Sequence, residues 1–373
     1  MPAEAGALSA AAAVREPAAV PAGDAPQHEP LAPARPVAAL PAELAQLVAG
    51  RAADVDAGLR EPRAALERLA RVGLLTLGLE GAAAGTLADQ FAVISALGER
   101  CMATAFSAWG HRIALEYLAG RPELAQLAPL ARIGSSAMAS GFKAAVGLGP
   151  APVRLRDGRA GRFVLDGRIP WASNLHPDAL VVLAAEREDG ALTAVAVDVA
   201  AAGVTVRPAR GLLALDATAS GQLELDGVSV SPETLLDEPF PAFAARVRPA
   251  FLLLQSAFCS GLARASLAAG EPALQGLGAE FASDHADASE RLAAIEERAT
   301  ALAGEEGPLR AFVRLRLDVA LLARDAVRIE SAVAGGRGYV ASSPTARRLR
   351  EAAFLPVQSP TEGQLRWELR RGA

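Results

Sequence analysis

The sequence predicts an α+β chain in three ordered parts: an N-terminal α-helical domain, a middle antiparallel β barrel or sandwich, and a C-terminal four-helix bundle. Three observations predict this order. Apolar residues recur at helical spacing over 38–133. Short β-branched runs divided by Asp-Gly turn signals follow over 134–238. Long apolar helical segments then resume over 239–373.

Residues 1–37 are rich in Ala and Pro, with Pro17, Pro21, Pro26, Pro30, Pro33 and Pro36 in no period. Such a segment buries too little to offset its ordering entropy, so a disordered tail is expected. Leu44, Leu47 and Val48 open the helical pattern, and Leu66, Leu69, Val72 and Leu75 continue it, with Gly73 as a C-cap. A third helix over 86–100 aligns Phe91, Ile94 and Leu97, and further helices are expected over 103–118 and 122–131. In the β part, Asp157-Gly158, Asp166-Gly167, Asp189-Gly190 and Asp226-Gly227 separate apolar runs, a hairpin and turn signal. Helices over 243–269, 279–303 and 308–334 follow, then Gly335-Gly336-Arg337-Gly338-Tyr339, a helix from Pro344 and a last one from about Pro360.

The 373 residues are 51% hydrophobic and 21% charged, a globular composition. Aromatics at 4% and a net charge of -5 argue against a nucleic-acid partner. Nearly every cation is arginine, and Lys143 is the only lysine. Cys101 and Cys259 read as two buried thiols rather than a disulfide framework. Met1-Pro2-Ala3-Glu4 shows no basic n-region, so no signal peptide is expected. The most lipid-like stretch, between Arg248 and Arg264, falls short of the ~20 residues that span a bilayer. A soluble, cytoplasmic protein without a membrane partner is expected.

The order of parts and several local motifs resemble the acyl-CoA dehydrogenase superfamily of flavoproteins, over roughly residues 38–370. Leu165-Asp166-Gly167-Arg168-Ile169-Pro170-Trp171-Ala172-Ser173-Asn174 is similar to the family's flavin-facing segment "nGxKxWxTN". Val228-Ser229-Val230-Ser231-Pro232-Glu233 resembles the exit from its β domain, and Gly261-Leu262-Ala263-Arg264-Ala265 the small-residue part of the first bundle helix. Gly335 to Tyr339 resembles the "GGxGY" turn near the flavin diphosphate of a neighbouring subunit. The resemblance implies FAD as cofactor, with Trp171 packed on its ring, Ser173 at the N5 side, and Asn174, Gly335, Gly336 and Thr361 as further contacts. It also implies a small-molecule substrate such as an acyl-CoA, and a homodimer or homotetramer. The run Phe251, Leu252, Leu253, Leu254 and Phe258 suggests helices buried between subunits.

The departures bear on chemistry. The family's usual base is a Glu, and Ser359 stands at that position. Glu362, three residues on, is the substitute candidate. The competing reading makes Ser359-Pro360-Thr361-Glu362 a capping box, with Ser359 as N-cap and Glu362 reaching back. His111 is a candidate for handling a substrate proton near neutral pH, against a structural role in a helix. His176, beside Pro177, reads as surface, and four scattered histidines make no metal site. Three functions remain: an FAD-dependent oxidoreductase on the CH–CH bond of an acyl thioester or similar substrate, a flavin-dependent monooxygenase on the same fold, and a non-catalytic member.

Overall fold

The computed structural model describes residues 40–81, 85–236, 238–304 and 307–371. The segment expected as a disordered tail lies outside the described residues. The helices that open the chain are α1 (Ala42–Asp56), α2 (Arg63–Arg71), α3 (Leu87–Arg100), α4 (Met102–Tyr117) and the one-turn α5 (Leu124–Leu127). A reciprocal capping box starts α3: Asp89 N donates to Thr86 Oγ1 at 3.1 Å, and Thr86 N donates to the Asp89 carboxylate at 2.8 Å. The helix expected over 122–131 is reduced to α5, because Leu130 adopts a left-handed φ of 59° that no right-handed helix accommodates.

Seven strands form one sheet: β1 (Gly134–Ala137), β2 (Val153–Asp157), β3 (Phe163–Ala172), β4 (Leu180–Glu186), β5 (Leu192–Asp198), β6 (Val204–Pro208) and β7 (Gly221–Val230). A short helix, α6 (Ala139–Ala145), follows β1. The strands run in the order β1-β4-β2-β3-β7-β6, with β5 paired to β4. The sheet is mixed rather than wholly antiparallel: β1 runs parallel to β4, and β2 meets β4 in parallel at Arg154 and Glu186. Alternation in a sequence tells which residues face inward, not which way a strand runs. The unbroken apolar run Leu180 to Ala185 is buried on both faces. Leu180, Val182 and Ala184 join the helical core, whereas Val181, Leu183 and Ala185 join the core of the sheet.

The remaining helices are α7 (Phe240–Gly270), α8 (Ala282–Gly304), α9 (Leu309–Ala334), α10 (Pro344–Phe354) and α11 (Glu362–Arg371). α7 spans 31 residues, longer than the apolar stretch read from the sequence, and α3, α4, α8, α9 and α10 of the same chain pack around it. Phe251, Leu252, Leu253, Leu254 and Phe258 are all buried within this one chain. Their apolar character therefore gives no ground for a subunit interface, which corrects the expectation drawn from them. Cys101 and Cys259 are buried free thiols, and burial pushes both thiols up from their ordinary range.

α3 and α7 cross at nearly backbone contact. A Cβ on Gly261 would lie 2.1 Å from Ser95 O and 2.8 Å from Glu99 N, and one on Gly98 would lie 2.8 Å from Phe258 O. Neither obstacle is a flexible side chain, so the helices would have to separate. Gly261→Ala is expected to cost about 1–3 kcal/mol. Gly50→Ala, at an open helical position of α1, is expected to be neutral or to stabilise by up to about 1 kcal/mol. Urea unfolding of both variants checks the pair; equal effects would contradict the close crossing.

Candidate functional site

The end of β3 presents Trp171 to solvent, with 61% of its surface exposed, while Ala172 is buried and Ser173 half-buried. Ser173 follows directly after the last strand residue, Ala172. The hydroxyls behind Ser173 are wired in one direction. Thr218 Oγ1 donates to Leu215 O at 2.8 Å, so it accepts from Ser220 Oγ at 2.8 Å. Ser220 in turn accepts from Ser173 Oγ at 2.7 Å. Ser173 thus turns its proton inward and its lone pairs outward.

Asn174 takes the left-handed φ of 58°, which Asn tolerates better than most residues. Its amide donates to Ser107 O at 2.9 Å and Gly134 O at 3.2 Å, and its buried Oδ1 has no protein partner. This side chain fastens the end of β3 to α4. His111 meets the same residue from the other side, its Nδ1 accepting from Gly134 N at 2.9 Å. Burial is the main force lowering its pKa to about 3. His111 is therefore a neutral structural acceptor at pH 7, which corrects its reading as a proton carrier near neutrality. His176 is buried rather than exposed, 3.8 Å from Glu61.

The other candidates sit on the link between α10 and α11. Thr361, not Ser359, is the N-cap of α11: its Oγ1 accepts from Gln364 N at 3.2 Å and its carbonyl from Leu365 N at 2.9 Å. Glu362 does not reach back to Ser359. Its carboxylate accepts from Arg324 at 2.8 Å and Arg366 at 2.9 Å. The predicted box was placed two residues early because Pro360 suggested an N1 position, whereas the helix begins only at Glu362. Ser359 is half-buried, and its carbonyl accepts from Gln255 Nε2 of α7 at 2.9 Å.

Among the described residues no hydrogen bond or ion pair joins the Ser173–Asn174 group to the Ser359–Glu362 group. Aromatic rings cluster where α4, α7 and the end of α10 meet. Phe106 stacks on Trp109 at 5.3 Å and meets Phe354 edge-on at 5.4 Å, and Trp109 meets Phe251 at 5.0 Å. Trp109 Nε1 donates to Phe251 O at 3.3 Å, so its one polar atom is satisfied. In the glycine turn, Gly335 needs its φ of 59° and Gly338 lies 2.7 Å, by its would-be Cβ, from Ala334. Gly336 faces open space, so fold geometry does not explain it.

Two buried charged residues, Arg316 and Glu351, are not among the candidates above. Arg316 is fully buried on α9, where it interrupts the apolar stripe of Phe312, Val313, Val319 and Ala320. That interruption was the signal available. Glu351 is buried on α10 and accepts from Met102 N at 3.3 Å. Burial pushes its carboxyl up to about 7, against the opposing pull of Arg347 at 3.7 Å.

Two predictions follow from these positions. Thr361→Ala is expected to cost about 0.5–2 kcal/mol as a lost cap, and Ser359→Ala distinctly less; chemical denaturation of both decides which residue caps. Glu351 binds a proton in the folded chain that the unfolded chain releases above its ordinary value of 4.5. Its contribution to stability is therefore present below that value and lost as pH rises to about 7. Glu351→Gln is expected to gain on wild type across this window, by up to about 3 kcal/mol at pH 8. The mutant-minus-wild-type difference cancels His111, which withdraws stability as pH falls below its ordinary 6.5. A flat difference would mean that Glu351 is ionised throughout.

No family model matches the chain, and no curated protein matches it. Solved structures do. FkbI, described for biosynthesis of the methoxymalonyl extender unit of a polyketide immunosuppressant, aligns with TM-score 0.78 at 20% identity, over 89% of this chain and 98% of that one. Butyryl-CoA dehydrogenase from Megasphaera elsdenii aligns with TM-score 0.80 at 15% identity, over 88% and 96%. The dibenzothiophene monooxygenase TdsC from Paenibacillus sp. A11-2 aligns with TM-score 0.68 at 18% identity, over 88% and 94%. These superpositions span nearly the whole of each compared chain: the chain has the acyl-CoA dehydrogenase fold.

Proposed function

We propose that the chain is a flavin-dependent oxidoreductase acting on the CH–CH bond of an acyl thioester or a similar small substrate. The observation that carries this reading is the solvent-facing Trp171 with the Ser173 hydroxyl beside it, on this fold. An indole face and a hydroxyl suit a planar ring with polar edges. Thr361 accepts a helix amide and keeps its own proton for a ligand. Gly336 leaves room for a diphosphate to approach backbone. These residues fit FAD, and they fit FMN, which TdsC binds, equally well in the ring region. A flavin held there supplies two-electron redox chemistry. The chain's part is to hold the ring against β3 and to exclude water with the aromatic wall.

A specific observation favours the second reading, a flavin monooxygenase. The link between α10 and α11 offers no free carboxylate, since Ser359 has none and Glu362 is held by Arg324 and Arg366. Chemistry that draws no α-proton tolerates this arrangement. A homodimer or homotetramer belongs to the same proposal. Its support is the exposed Tyr339 and Val340 beside the glycine turn.

The purified protein is expected to show flavin absorbance. Trp171→Ala and Ser173→Ala are each expected to lower flavin stoichiometry or shift the band; unchanged spectra in both would remove them as ring contacts. Anaerobic bleaching by acyl-CoAs supports dehydrogenation, and bleaching only through an external flavin reductase supports monooxygenation. A colourless protein that takes up neither FAD nor FMN would leave only the non-catalytic reading.

A further inference from the structure

Among the described residues four arginines are buried: Arg112, Arg248, Arg316 and Arg348. Three of them meet a carboxylate. Arg112 pairs with Glu116 at 2.7 Å, Arg248 with Glu368 at 2.6 Å, and Arg348 with Glu330 at 2.5 Å. Arg316 is the exception. Its Nε donates to Gln255 Oε1 at 3.2 Å and its Nη2 to Gln358 Oε1 at 2.8 Å, both neutral amides. Its Nη1 is buried with no partner. Gln358, itself buried, also leaves its Nε2 amide without a partner.

These atoms are all donors. Arg316 Nη1 and Gln358 Nε2 belong to side chains already bonded to each other. A guanidinium is a permanent charge and cannot become neutral when buried. A charge out of water requires a counter-charge, and amide oxygens supply only dipoles. A water molecule would satisfy one hydrogen bond and leave the charge uncompensated. An anion is the kind of partner that would satisfy both the free donors and the charge.

The place of this group matters as much as its charge. Gln255 bonds Arg316 through its oxygen and the Ser359 carbonyl through its nitrogen. Gln358 is the neighbour of Ser359 in the chain. Ser359 is half-buried, whereas Gln255, Gln358 and Arg316 are buried. Phe354, the last residue of α10, packs against Phe106 and belongs to the aromatic cluster. The positive charge thus stands behind the one residue of the candidate site where a carboxylate was expected and a hydroxyl is found.

We propose that Arg316 and Gln358 bind a carboxylate carried by the substrate, so that the chain prefers short acyl groups ending in an acid over apolar ones of equal length. The proposal rests on the acyl-thioester reading above for the rest of the ligand. Arg316 is a specificity residue in this scheme: the substrate brings the negative charge that the fold leaves out. Gln255 and Gln358 hold the guanidinium so that Nη1 remains free.

The test uses a matched pair of probes, succinyl-CoA and butyryl-CoA, which differ by a carboxylate in place of a methyl group. Calorimetric titration of the flavin-loaded protein is expected to show succinyl-CoA bound about tenfold to hundredfold more tightly. Arg316→Met, similar in volume, is expected to abolish the difference while leaving butyryl-CoA affinity unchanged. Arg316→Lys, which keeps the charge, is expected to retain part of it. Equal affinities in wild type, or a preference that survives in Arg316→Met, overturns the proposal. Arg316→Met also orphans the acceptor oxygens of Gln255 and Gln358, so flavin content and far-UV circular dichroism are checked first to confirm that the variant is folded and loaded. Free succinate separates this site from the thioester reading. A melting temperature raised by succinate in wild type but not in Arg316→Met supports the anion site even where neither thioester binds. No effect of succinate together with no thioester binding overturns both.

Discussion

The fold depends on a helix that has no solvent face. α7 is apolar on every side over most of its 31 residues, and such a helix is stable only when covered all round. That requirement recruits α3 to a crossing that only glycines permit, and α4, α8, α9 and α10 to the remaining sides. The few polar groups on α7 then choose what lies where. Arg248 holds Glu368 of α11, Ser260 holds Glu296 of α8 at 2.5 Å, and Gln255 holds both α9 and the link to α11. The aromatic wall of the candidate site is one consequence, since Phe251 and Phe258 are core residues of α7 that meet Trp109 and Phe106 of α4.

Periodic features were legible in the sequence, and features set by tertiary partners were not. The apolar spacing of Leu44, Leu66, Phe91 and Ile94 marks α1, α2 and α3, and the helices expected over 86–100 and 103–118 are α3 and α4. Asp157-Gly158 and Asp189-Gly190 do separate strands, whereas Asp166-Gly167 and Asp226-Gly227 fall inside β3 and β7, and β1 and β2 run parallel to β4. Trp171 was singled out by a motif and stands exposed. By contrast, the role of Glu362 turned on two arginines, one of them 38 residues away, and the neutrality of His111 on how deeply α4 is covered. The apolar run in α7 was read as a surface because its five covering helices are not visible in its own residues.

Burial acts on His111 and Glu351 in the same sense, keeping each uncharged where water would ionise it. Arginine is the side chain that cannot follow. In a chain with a single lysine, every strongly basic group that enters the interior brings a fixed charge with it. The interior therefore sorts into groups that become neutral and guanidiniums that need company, and the geometry of that company becomes chemically informative.

The hydroxyl relay of Ser173, Ser220 and Thr218 is anchored at a backbone carbonyl, which can only accept. The relay thus has a polarity, as a row of dipoles does. Seen from outside, Ser173 welcomes a donor and repels a lone pair. A ligand edge that changes from acceptor to donor during its working cycle would meet the same serine as an obstacle in one state and a partner in the other. Reversing the serine sacrifices its bond to Ser220, about 0.5–1.5 kcal/mol, so this small chain of oxygens can weight two states of a bound molecule unequally without any movement of the backbone.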